Sequence, residues 1–206
     1  MSLFDTRNGI GLFTRKPVPL REHRRVSVNG TETGVIVIER ATVGALPQVN
    51  AMHRRCSPAS RRARYHQSRE SLKPSEWRTL CGHGTGWTWL ARPAADDGRI
   101  LGMVSVLPYS NRSSWDLSIL IDDAWQGRRL GTIMARHAVA STQAAGVDSL
   151  EALVERDNVR SLKLLRRLGA AIRFSDAFTA EAHIRLRRST VTFAPAWALN
   201  DEMRGW

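Results

Sequence analysis

ILIDDAWQGRRLG (residues 119–131) carries a short apolar, β-rich run into a loop with two glycines and then into a helix. A strand–loop–helix junction of this kind points several unpaired backbone N–H groups, and the positive end of the helix dipole, toward one spot, which suits an anion. Arg128 and Arg129 bring guanidinium charge to the same spot. No Gly-Lys-Ser/Thr follows the first glycine at the spacing of a nucleotide phosphate loop, and the Gly-x-Gly-x-x-Gly dinucleotide fingerprint is absent. Taken alone, the junction fits a plain helix start as well as a phosphate cradle.

The flanking sequence extends the pattern in both directions. Downstream, Leu130, Ile133, Met134, His137 and Ala138 share one face of a helix that runs to about Ala145 and is stopped by Gly146. A strand follows at 148–154, then a helix capped by Asn158 with the stripe Leu162, Leu165 and Leu168, ended by Gly169. Residues 170–174 and 181–187 close the series as strands. Upstream, strands are predicted at 34–40, 85–91, 98–107 and 114–121, with a turn at 97–99. A helix is predicted over 43–56 from Val43, Leu46, Val49 and Met52, and a helix, turn and helix over 58–82 around Pro74. This order is α/β, with an antiparallel front half and βαβ crossovers behind.

The chain has 206 residues, 42% hydrophobic and 24% charged, which suits one domain with tails and argues against a disordered chain. No apolar run reaches the roughly 18 residues of a membrane span. The first residues lack the charged-then-apolar order of a secretion signal, so a cytoplasmic location is the default expectation. Two cysteines, Cys56 and Cys81, cannot build a disulfide scaffold. The formal charge is +12, and of 31 basic residues only Lys16, Lys73 and Lys163 are lysines. An arginine excess fits phosphate-rich partners, and it fits a GC-rich genome equally.

Three regions are expected: a basic arm at 1–31, a domain at 32–188, and a tail at 189–206 with Phe193, Trp197 and Trp206. The tail docks on its own domain or on a second subunit, so monomer and homodimer both stay open. Residues 51–78 carry eight positive side chains against Glu70 and Glu76. They read either as a solvated helix face or as the border of a groove for an acidic acceptor.

Gln126-Gly127-Arg128-Arg129-Leu130-Gly131 directly after a strand, followed by Asn158, Ser161 and Leu168-Gly169-Ala170, resembles the GNAT superfamily of acetyl-CoA-dependent N-acyltransferases. The likeness covers roughly 34–188 and is strongest over 115–170. Residues 52–77 also resemble the helical region of the GNAT domains in bacterial protein-lysine acetyltransferases. The resemblance implies a mixed, mostly antiparallel central sheet that splays open at the coenzyme site and is flanked by helices. It implies an N-acetyltransferase that moves the acetyl group of acetyl-CoA to an amine of a protein or small molecule. The coenzyme pyrophosphate would lie on Gln126, Gly127, Arg128, Arg129, Leu130, Gly131 and Thr132. Its pantetheine arm would pair with the backbone of Ile119, Leu120 and Ile121, and Asn158 and Ser161 would reach its other flank.

Asp116 stands ten residues before Gln126, where that subgroup usually has Glu, and is the candidate base. An amine with a pKa near 10 must shed a proton before it attacks, and an ordinary Asp near 4 is a weak base for it, so burial is expected to raise the Asp116 pKa. Three departures from the family pattern stand out: Arg129 replaces a signature glycine, Leu165 replaces a Tyr that protonates the departing thiolate, and Ala170 replaces Phe.

His53, Cys56, Cys81 and His83 hold zinc-type atoms, but Cys-x-His is tighter than zinc-ligand spacing, and no metal is expected. His137, on the apolar face of its helix, reads as a core residue. Two competitors to the enzyme remain: a non-catalytic acyl-CoA-binding module, favoured by Leu165 and Arg129, and a nucleic-acid-associated protein, favoured by the arginines. No membrane partner is expected.

Overall fold

Runs of β-branched and aromatic residues, VIVI at 35–38, WTWLA at 87–91 and MVSVL at 103–107, pair side by side at the centre of one sheet. The computed structural model describes residues 21–28, 31–81, 86–96, 98–109 and 114–186. Eight strands form the sheet: β1 (Arg21–Val28), β2 (Thr31–Arg40), β3 (Trp87–Pro93), β4 (Gly102–Pro108), β5 (Ser114–Ile121), β6 (Ser149–Glu155), β7 (Ala171–Phe174) and β8 (Thr179–Arg185). Their spatial order is β1-β2-β3-β4-β5-β6-β8-β7, and every neighbouring pair is antiparallel except β5 and β6. The expected mixed, mostly antiparallel α/β architecture is therefore present.

Helices cover both faces. On one lie α1 (Leu46–Arg55), α2 (Pro58–Tyr65) and α3 (Pro74–Cys81); on the other lies α4 (Leu130–Ala144), the crossover from β5 to β6, with α5 (Val159–Arg167) beside it. Val49, Met52 and Trp77 meet Leu90, Met103 and Leu120 in one core. Leu130, Met134 and Ala138 meet Trp89, Val104 and Leu117 in the other, which continues under α5 through Leu162 and Leu165. Trp77 is fully buried, and its indole N–H donates to the carbonyls of Thr42 and Val43 at 3.1 Å each, so its polar edge is satisfied inside the core.

Several boundaries differ from the sequence reading for local reasons. The helix expected over 43–56 is a 3-10 turn (Val43–Ala45) followed by α1, whose first turn holds Pro47. The strand expected from Gly98 starts at Gly102, because the carbonyl of Ile100 accepts from Arg55 Nη2 at 2.6 Å instead of a strand partner. Asp97 of the expected 97–99 turn, and Thr85 at the start of the expected 85–91 strand, lie outside the described residues. The basic arm drawn at 1–31 is divided: residues 1–20 lie outside the described residues, whereas Arg21–Val28 pairs with β2 as the edge strand. Charged sequence is compatible with an edge strand, where it discourages pairing with other chains. The 189–206 tail lies outside the described residues.

Candidate active site

Gly127 and Arg129 set the shape of the loop between β5 and α4. Gly127 has φ +75° and Arg129 φ +62°, two left-handed residues that swing the chain onto the helix start. Glycine takes this conformation freely, while an L side chain does so at a cost of about 1–2 kcal/mol. Arg129 thus holds a conformation natural to glycine and bears the strain.

The consequence is a run of unused donors. None of the six backbone N–H groups from Gly127 to Thr132 has a hydrogen-bond acceptor among the described residues, and the ladder resumes only where Ile133 N donates to the Arg129 carbonyl at 3.0 Å. Six free N–H groups at a helix N-terminus favour an anion with several oxygens. Arg128 stands nearby, its guanidinium 5.4 Å from the centre of the Trp125 ring.

The base of this loop is braced from beneath. Asp122, almost fully buried, accepts from Ala124 N at 3.1 Å and from Arg55 Nε at 2.7 Å. Asp123 accepts from Ser57 N at 3.0 Å, which ties the start of α2 to the loop. The side chain of Gln126 is spent in the same brace: its Nε2 faces Ser60 Oγ, the Ile121 carbonyl and Asp123 Oδ1 at 3.0, 3.2 and 2.9 Å, and its Oε1 accepts from Arg160 at 2.8 Å. Gln126 therefore holds the loop in place rather than offering its amide to a ligand. Leu120 and Leu130 point into the two cores and offer main-chain groups only.

Next to the loop the sheet opens. The strands β5 and β6 pair only through Ser114↔Ser149, Trp115↔Leu150 and Asp116↔Glu151, and diverge beyond that point. Among the described residues the β5 edge from Leu117 to Ile121 therefore has no neighbouring strand on its β6 side, and an extended ligand can pair with it through backbone hydrogen bonds. The wedge holds a cavity of about 300 Å³ lined by Leu117, Ser118 and Ile119 on one side and Ala152, Leu153 and Val154 on the other. Ser161, Leu164, Leu165 and Leu168 of the α5 segment line it too. Asn158 Oδ1 accepts from Ser161 N at 3.1 Å as the helix cap, so only the amide nitrogen of Asn158 is left for a ligand.

Asp116 sits at the apex of the wedge, at the last paired position. Alternation along β5 turns Leu117 toward α4 and Leu120 toward α1 and α3, which puts Asp116 on the α1–α3 side, where it meets the end of α2. Burial pushes its carboxyl above the usual carboxylate range, and the positive charge of Arg64 opposes that rise. Tyr109 Oη lies 3.4 Å from Asp116 Oδ1.

Around the same cavity stand Arg64, which the sequence offered only as one member of the basic run 51–78, and Tyr65, His66 and Tyr109, to which it assigned no role. Tyr109 comes to Asp116 because the β4–β5 hairpin sets Pro108 opposite Trp115. His66, the left-handed cap of α2 with φ +54°, turns the chain away at the cavity rim. Tyr65 is anchored by a buried pair: His53 Nδ1 faces the Val49 carbonyl at 2.8 Å and must donate, so Nε2 accepts from the Tyr65 hydroxyl at 2.6 Å. Burial holds the His53 pKa below its ordinary value.

Other candidates resolve into packing. Burial pushes both thiols, Cys56 and Cys81, up to about 12. Among the described residues no three His, Cys, Asp or Glu side chains gather as a metal site, and His83 lies outside them. His137 is buried edge-on against Trp89 at 5.4 Å. The basic run 51–78 is neither uniformly solvated nor uniformly turned to a groove. Arg55 goes to Asp122, Arg61 to the carbonyls of His53 and Cys56, and Arg69 to Glu76, leaving Arg64 at the cavity. No described helix is long and apolar enough to cross a membrane.

Residues 40–171 match the family model of the acetyltransferase (GNAT) domain. No curated protein matches the chain. Among solved structures, the GNAT domain of S. lividans PAT superposes with a TM-score of 0.71 at 16% identity, covering 83% of this chain and 99% of that one. A GNAT-family acetyltransferase from Streptococcus pneumoniae gives 0.60 at 19% identity, over 74% of this chain and 99% of that one. The phosphinothricin acetyltransferase of Sinorhizobium meliloti, solved with acetyl-CoA, gives 0.59 at 19% identity, over 75% of this chain and 90% of that one. At these identities the likeness speaks to the fold.

Proposed function

The chain belongs to the GNAT acetyltransferase family and is an acyltransferase that uses acetyl-CoA; on that footing we propose that it acetylates an amine by direct attack, with Asp116 as the base. The observation that carries this reading is the adjacency of three features. Six unused N–H groups lie at the mouth of a strand edge with no described neighbour, and a half-buried carboxylate stands at its apex.

The thioester supplies an activated acetyl carbon; the rest is the work of this chain. The N–H groups from Gly127 to Thr132, with Arg128 and Arg129, hold the pyrophosphate. Ile119 to Ile121 hold the pantetheine arm by backbone pairing, and the Asn158 amide and Ser161 flank it. Asp116 takes the proton that the attacking nitrogen sheds as the N–C bond forms and the C–S bond breaks. A carboxylate with a raised pKa serves this step better than an ordinary one, because base strength follows pKa. Leu165 is buried and offers no proton to the departing sulfur. A thiol near pKa 8.5 leaves as thiolate without one. The acceptor is a protein amine or a small-molecule amine.

The test is release of free thiol from acetyl-CoA across an amine panel, with Asp116→Asn as the control. Turnover should fall by about 10²–10⁴, the usual worth of a positioned base, while acetyl-CoA affinity stays unchanged. Unchanged turnover would remove Asp116 from the mechanism.

A further inference from the structure

Arg64 is the guanidinium on the cavity wall, and its position is unusual. It occupies the last turn of α2, half-buried, on the same cavity as Asp116. Its Cζ lies 4.9 Å from the centre of the Tyr65 ring. It donates no hydrogen bond to any described residue, and its Nε is buried without a partner. Nor does it close to an ion pair with Asp116, although the two charges act on each other.

A guanidinium has five N–H donors in a rigid fork, and burying them unmade costs free energy. The Nε atoms of Arg61 and Arg69 are buried without a partner too, but those two arginines, like Arg55, place another nitrogen on an oxygen, and Arg64 places none among the described residues. Arg64 leaves its fork to whatever fills the cavity. Planar, bidentate recognition by Arg suits a carboxylate or a phosphorus oxyanion.

We propose that Arg64 is the specificity residue of the acceptor site, and that the acceptor is an amine bearing an oxyanion a few bonds from the reacting nitrogen. This rests on the reading of Asp116 as the base. The amine end goes to Asp116 and the anionic end to Arg64, so the two opposite charges of the cavity orient one zwitterionic group. The cavity of about 300 Å³ is already at the small end of ligand pockets and is shared with the pantetheine edge at Ile119 and Ser161, so the part at Asp116 and Arg64 suits a small group, of amino-acid size at most. Two sources present this chemistry: a free amino acid, and a peptide with an acidic residue beside its reacting amine.

The test compares free amino acids with their carboxamides and their decarboxylated amines, and acidic peptides with neutral ones. Initial rates are read at a pH where Asp116 is ionised. The anionic members of one source are expected to lead their neutral counterparts by about 10- to 100-fold in kcat/KM, the worth of one or two hydrogen bonds to a charged group. Arg64→Met should erase that lead through KM, costing anionic members about 10- to 100-fold more than neutral ones, and leave calorimetric acetyl-CoA affinity unchanged. Arg64→Lys, which keeps the charge without the fork, should restore part of the lead. Equal or better rates on neutral members, or an Arg64→Met loss that falls on kcat for every amine alike, would overturn the proposal. A preparation that fails to bind acetyl-CoA would instead overturn the donor-site reading beneath it.

Discussion

Replacing Arg129 separates two effects that this residue combines, backbone strain and charge. Its φ of +62° is left-handed, and the side chain is exposed. Arg129→Ala removes the charge and keeps the Cβ, so the strain remains. Arg129→Gly removes both. An L residue pays about 1–2 kcal/mol in this region, and glycine returns roughly half to one of that in unfolded-state freedom, so Gly should exceed Ala in stability by about 1 kcal/mol. For a chain of this size that is a rise of roughly 2–4 °C in thermal midpoint. The assay is paired thermal unfolding of both variants without ligand. Both variants should weaken acetyl-CoA alike, by up to about fivefold, as expected for one solvent-exposed charge, and less at high salt. A glycine variant no more stable than the alanine variant would refute the idea that this loop is held in a strained shape.

Three further outcomes follow from the same structure. The raised pKa of Asp116 predicts that kcat/KM falls as pH drops through a point above the usual carboxylate range, and Arg64→Met, which removes the opposing positive charge, should move that limb upward in a pH–rate profile. His53 has a lowered pKa, so between its folded value and about 6.5 the unfolded chain binds the extra proton. Stability should be full above 6.5 and decline as pH falls through the folded value; urea unfolding across pH 5–8 should show this slope, and His53→Gln should flatten it. Trp77→Ala should cost about 3–5 kcal/mol in urea unfolding, because a fully buried indole and its two hydrogen bonds vanish together.

What could be read from the sequence followed from short-range rules. The strand at 114–121, the Asn158 cap and the Gly146 and Gly169 stops each depend on residues within a turn of one another, and they appear where the pattern places them. The junction at 119–131 was legible for the same reason. The edge strand at 21–28 was not, because its charges resemble those of a solvated arm and its pairing with β2 is a tertiary choice. The cavity wall was equally hidden. Arg64 and Tyr65 reach Asp116 only because Asp123 and Gln126 tie the start of α2 to the loop, a link across more than 60 residues. Gln126 shows the converse: its identity marks the loop in sequence, while its side chain turns away to brace it.

Calorimetric titration of acetyl-CoA at about 150 mM salt, where charges beyond about 8 Å are largely screened, addresses the six-donor cradle and the open strand edge together. A Cβ at Gly131 would lie 3.6 Å from Ile121 Cγ1 and 3.9 Å from Ile119 Cδ1, so a long side chain there crowds these two isoleucines and displaces the start of the helix that carries the N–H groups. One-to-one binding in the micromolar range, weakened by at least about tenfold (1.4 kcal/mol) in Gly131→Leu, is the predicted result. Absence of binding, or equal affinity in wild type and Gly131→Leu, would contradict the placement of the coenzyme on this loop.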